Sequence, residues 1–231
     1  MLLSLDRAIF VLFHAPPMSL KGSNPFLEPV SEEVIRTLLQ KRTFGDFTFT
    51  DAVRPQDESF LTQEGYEVHS LDTSNAPERI VIAAVSRQKL FDVFTELLEP
   101  LGELLDVVLE TEDEEDESVF EAHSYGTDRL YLQSVLPDFE DVLLNCGNTK
   151  IGVVSTERPK RVELDFHKLL LLYGKKIRPF LQILVENNIP QLIDMHTIDD
   201  VDQYRISDTE FPDQIQRMMN ELGMEEGRYE R

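Results

Sequence analysis

Seven of the eight residues at 110–117 (ETEDEEDE) are carboxylates, and no lysine or arginine lies between 90 and 128 to balance them. Like charges this dense repel one another and resist burial, so the run has to stand in water on a loop, whatever surrounds it. The imbalance is local. Fourteen acids fall within 90–128, whereas 150–178 holds eight lysines and arginines against three acids. Two neighbouring segments of opposite sign are the simplest way to accommodate both.

The chain carries 22 basic and 44 acidic residues, a net charge of -22. A phosphate backbone or an anionic lipid surface would be repelled over most of such a surface, so neither nucleic acid nor membrane is expected as a direct partner. The apolar runs AIFVLF at 8–13 and IVIAAV at 80–85 are far shorter than the roughly 20 residues a membrane helix needs. The single cysteine, Cys146, leaves no internal disulfide and fits a reducing cytoplasm. With 231 residues, 41% of them hydrophobic, the chain has enough apolar surface for a sizeable core.

Periodicity gives an α+β class with a mixed sheet. Residues 1–64 read as an N-terminal β/α extension: a strand at 8–13, a helix from Ser31 to about Lys41 and a short strand at 47–52. From 65 to 147 the order is ββαββα, with strands at 66–71, 78–86, 103–110 and 128–134, and helices at 87–99 and 137–146. From 148 to 231 the same order follows, with strands at 151–156, 161–173, 190–196 and 202–207, and helices at 175–188 and 211–222. Pro179 favours a start of the first of these helices near Arg178, where a first-turn proline costs no hydrogen bond.

Residue matches accompany the shared order. Phe94, Leu97 and Leu98 precede Phe180, Ile183 and Leu184 by 86 positions, while LPD at 136–138 precedes FPD at 211–213 by only 75. An internal duplication with the acidic stretch, 110–121, inserted in the first unit accounts for both offsets.

Two Asp-x-His pairs are candidate metal ligands: Asp165 with His167, and Asp194 with His196. On adjacent strands they would offer two carboxylates and two imidazoles to zinc or iron, the ligand set of a metal-dependent hydrolase. Polar residues alternating on a half-exposed strand need no metal, and this is the preferred reading. No Walker loop, nucleophile elbow or dinucleotide-binding glycine pattern occurs, and no cofactor is expected. The expected function is therefore non-catalytic binding of a basic protein through Glu112, Asp113, Glu114, Glu115, Asp116 and Glu117.

Overall fold

The structure, a computed structural model, describes residues 9–14, 37, 39–71, 78–112 and 119–227. It is α+β, and every pairing between its strands is antiparallel. Eight strands form the main sheet: β5 (Gly65–Leu71), β6 (Glu78–Ala84), β7 (Leu104–Glu112), β8 (Val119–Asp128), β9 (Thr149–Ser155), β10 (Lys160–Leu164), β11 (Leu170–Gly174) and β13 (Glu225–Gly227). Their spatial order is β13-β8-β7-β9-β10-β11-β6-β5. A smaller sheet sets β12 (Gln203–Asp208) between β1 (Ile9–His14) and β4 (Val53–Pro55), and β2 (Thr43–Phe44) pairs with β3 (Phe47–Thr48) as a minimal hairpin.

Alternation decides which face of the main sheet is covered. Val81, Ala83, Leu105, Val107, Leu109, Ile151, Val153, Val162, Leu170 and Leu172 are buried together with the apolar faces of the helices. Those helices are α1 (Arg87–Glu96), α2 (Arg129–Val135), α3 (Glu140–Asn145), α4 (Arg178–Glu186) and α5 (Phe211–Glu221). In α5 the buried Phe211, Ile215, Met218 and Met219 recur at helical spacing, and in α4 Phe180 and Leu184 do. The opposite parity of β6 and β11, Ile82 and Leu171, packs under a second cluster containing Phe44, Phe47, Phe49, Val53 and Phe60. One sheet thus carries a helical layer on one face and an aromatic loop layer on part of the other.

Gly147 joins the two sheets. Its N–H donates to the Ile206 carbonyl at 2.7 Å, and a Cβ there would lie 2.6 Å from the Ala52 carbonyl oxygen and 2.8 Å from the Ile206 nitrogen. Both neighbours are backbone and cannot turn aside. Gly147→Ala is expected to cost about 1–3 kcal/mol, read as a lower urea midpoint at unchanged slope; a wild-type midpoint would contradict this close approach.

Several expected elements differ. The sheet is antiparallel rather than mixed. Residues 128–134, expected as strand, fall instead on α2 from Arg129 onward, because Asp128 caps the first turn by accepting from the Tyr131 N–H and Leu132 and Val135 share the buried face. Residues 161–173 are two strands rather than one: Asp165 accepts from the N–H groups of both His167 and Leu169, folding 165–168 into a turn. Within 190–196 the strand shrinks to a single bridge between Gln191 and Tyr66. The 148–231 segment therefore runs β9-β10-β11-α4-β12-α5-β13, with β12 in the small sheet. The helix expected from Ser31 lies largely outside the described residues, although Thr37, Leu39 and Gln40 are helical. The later start near Arg178 is the one seen, with Pro179 in the first turn of α4.

Candidate functional site

The acidic run sits at the closed end of the β7–β8 hairpin. Pairing continues to Glu112↔Val119, so Glu110 and Glu112 lie on strand, and Asp113, Glu114, Glu115, Asp116 and Glu117 lie outside the described residues. Of the stretch expected as an inserted loop, 110–112 and 119–121 are strand, and neighbouring cations balance Glu110 and Glu112. Lys150 of β9, directly opposite Glu110 in register, places Nζ 2.8 Å from its carboxylate and 3.5 Å from that of Glu163. Arg205 of β12, 2% exposed, binds Glu112. The acidic and basic segments are thus neighbours, as their charges require.

Beside this end of the hairpin lies a cleft of about 550 Å³. Phe120, Phe211, Ile215 and Met219 provide its apolar lining, and Glu112, Asp208 and Glu226 bring carboxylates to it. Neither lysine nor arginine is among the described residues that line it. Cys146 also reaches the cleft, but its thiol is buried and held by the hydroxyls of Thr149 and Ser207 at 3.3 and 3.4 Å.

The candidate metal ligands separate. Asp165 and His167 stay together in the β10–β11 turn, joined by Asp199 and not by the second Asp-x-His pair. His167 Nδ1 lies 2.5 Å from Asp199 Oδ1 and 3.7 Å from Asp165 Oδ2. Asp194 is exposed, and so is His196, whose Nδ1 lies 4.0 Å from Asp200. Since 190–196 is not a strand of the sheet, it cannot carry its pair alongside β10. Asp199 is delivered by a 3-10 turn, Ile198–Asp200, which a capping box between Thr197 and Asp200 starts.

What this cluster can do follows from its charges. Burial pulls the His167 pKa down, but hydrogen bonds and the charges of Asp165 and Asp199 outweigh it and raise the value to about 9. At neutral pH the imidazolium is therefore held between two carboxylates. Zinc bound to Nδ1 and Oδ1 at about 2.1 Å each would hold those atoms roughly 3.4 Å apart in tetrahedral geometry. The observed 2.5 Å is a hydrogen-bonded ion pair instead. His167 also lines a cavity of about 10 Å³ with Phe47, Phe49, Thr50 and Leu90, room for about one water and none for a substrate.

The adjacent Lys168 is a further residue of this site that spacing did not single out. It is 4% exposed, has φ 63° and donates from Nζ to the Thr149 carbonyl at 2.6 Å. Left-handed backbone at a non-glycine residue is uncommon and strained, and here it turns the lysine stem inward. Burial lowers its pKa to about 8. No helix among the described residues is long and apolar enough to cross a membrane. Comparison of the chain with protein-family models, with curated proteins and with solved structures finds no match in any of the three.

Proposed function

We propose that this is a non-catalytic binding protein that docks a basic protein partner through the carboxylates at 112–117. The observation that supports this reading is the hairpin: its described strands pair as far as Glu112↔Val119, and the chain between them carries the remaining carboxylates. The acidic cleft beside it extends the same field. A surface of this kind acts chiefly on association rate, through attraction that weakens as the Debye length falls from about 10 Å at 0.1 M salt to about 3 Å at 1 M.

The test uses a lysine-rich dodecapeptide and two variants of equal net charge. One changes Glu112, Asp113, Glu114, Glu115, Asp116 and Glu117 to Ser and Gln; the other neutralises the exposed Glu58, Asp92, Glu99, Asp138, Glu140 and Asp213. The hairpin variant is expected to associate about tenfold more slowly, with a shallower salt dependence, while the control changes little. Equal losses in both variants would show that only total charge matters and would overturn the assignment.

The alternative, a metal-dependent hydrolase, draws on the convergence of Asp165, His167 and Asp199. It requires stoichiometric zinc or iron after reconstitution, lost on His167→Ala. The ion-pair geometry favours the binding reading. An origin by duplication is likewise proposed from the matched burial of Phe94 with Phe180 and Leu98 with Leu184, although the two segments pair their strands differently.

A further inference from the structure

Well-exposed large apolar side chains among the described residues are Leu61, Leu104, Tyr125, Leu130, Tyr131, Val185 and Ile193. Four of these gather at the open end of the β7–β8 hairpin, far from the acidic run: Leu104 is 47% exposed, Tyr125 71%, Leu130 66% and Tyr131 46%. Backbone bonds tie them into one area. Arg129 N–H donates to the Glu103 carbonyl at 2.8 Å, which sets Leu130 beside Leu104, and Leu104 registers against Asp128. Tyr131 donates its hydroxyl to the Glu221 carbonyl at 2.8 Å, and Ser124 donates to the next carbonyl, that of Leu222, also at 2.8 Å. Tyr131 thereby lies at the end of α5, while Tyr125, next along β8 after Ser124, is on the opposite face of the strand beside His123.

The patch is ordered as well as exposed. The Tyr125 ring stacks on His123 with centroids 5.9 Å apart and planes 7° apart. The following Gly126, at φ 64°, donates its N–H to Asp106 at 2.9 Å. One ring face is thus supported and the other is open, the arrangement on which a guanidinium or ammonium stacks. Around it, Glu103, Asp128, Glu221 and Glu225 are exposed carboxylates. Of the cations on the described β7, β8, α2, α5 and β13, Arg129 donates from Nε to the Gly102 carbonyl and from NH1 to Gln133, and Arg217 lies over the Phe139 ring, so both are engaged.

We propose that Leu104, Tyr125, Leu130 and Tyr131 form a docking surface for a cationic segment of another protein, one that mixes aliphatic side chains with arginine or lysine. Apolar side chains with an aromatic anchor and a polar rim have the composition of a protein interface. The sign of the rim selects the partner. A second copy of the chain would bring its own -22 charge and the same carboxylates, and an anionic membrane would be repelled in the same way. A cationic segment meets attraction at the rim and burial at the centre. The inference does not rest on the hairpin run at 112–117, which lies at the opposite end of the same two strands.

Three fourteen-residue probes separate the possibilities: a peptide of leucine and arginine, a charge-matched peptide of lysine, glycine and serine, and a leucine–glutamate peptide. Wild type is expected to prefer the leucine–arginine probe to both others. Tyr125→Ser with Leu130→Ser is expected to weaken that probe about tenfold and the lysine–glycine–serine probe much less; if the pair lowers the melting temperature, Leu130→Lys alone serves. The hairpin-neutralised variant is expected to weaken both cationic probes by a common factor, so failure of either reading shows separately. Undiminished leucine–arginine binding in the patch variants, or no wild-type preference for leucine, would overturn the proposal. So would a wild-type dimer in sedimentation that the patch variants lack, which would assign the face to a second copy.

Discussion

Phe180→Ala is expected to cost about 3–5 kcal/mol, the range for deleting a buried aromatic side chain whose surroundings cannot collapse. Phe180 is fully buried on α4, in the same cluster as Phe94, Leu97, Leu98 and Leu184, so its neighbours come from two helices and the sheet. A polar group adds to this. Lys160 Nζ sits 5.5 Å from the ring centroid and donates to the Pro100 carbonyl at 3.0 Å, so truncation also leaves a half-buried ammonium facing a void. For a chain of this size the loss corresponds to a fall in melting temperature of roughly 6–20 °C. A change below about 1 kcal/mol by urea unfolding would show that α4 does not anchor the core.

That prediction was legible in the sequence, and the reason is local. Phe180, Ile183 and Leu184 repeat at a helix period whatever they pack against, and Pro179 marks the start in the same way. Strand β8 was not legible. Its inward positions include Ser124 and Thr127, which satisfy each other at 2.8 Å and, through Ser124, the Leu222 carbonyl. Such residues read as loop until α5, nearly a hundred residues later, supplies the acceptor. The next element failed for the opposite reason: Leu130, Tyr131 and Leu132 imitate strand hydrophobicity, yet only Leu132 of the three is buried.

The site divides along the same line. Asp165 and His167 were visible as a pair because two residues hold them, whereas Asp199 arrives through the Thr197–Asp200 capping box in a stretch that reads as a solvated acidic loop. Asp194 and His196 matched the motif equally well. What separates the pairs is sheet membership: β10 anchors one, and the other lies in a segment that touches the sheet edge at a single bridge. Spacing alone cannot encode that difference.

The His167 cluster leads to a stability profile with an unusual shape. The folded pKa is about 9 and the unfolded value 6.5, so the folded state holds the extra proton; its stabilisation is complete below pH 6.5 and is lost as pH rises through 9. The difference is on the order of 3 kcal/mol, and His167, 19% exposed, is shielded enough for much of it to be felt. Lys168 has the opposite sign. Burial depresses its pKa from 10.5 to about 8, against the attraction of the Asp165 carboxylate and with the repulsion of Arg205, so losing its proton between 8 and 10.5 restores stability. These two neighbours together predict a fall from pH 6.5 to 8, a level stretch to about 9 and a recovery above it. His167→Gln should abolish the fall, melting roughly 6–12 °C below wild type at pH 6 and close to it at pH 10. Lys168→Met should keep the fall and lose the recovery. Thermal unfolding of the three proteins at half-unit pH steps checks both, and parallel profiles for wild type and His167→Gln would mean that Asp165 and Asp199 do not hold the imidazolium in solution.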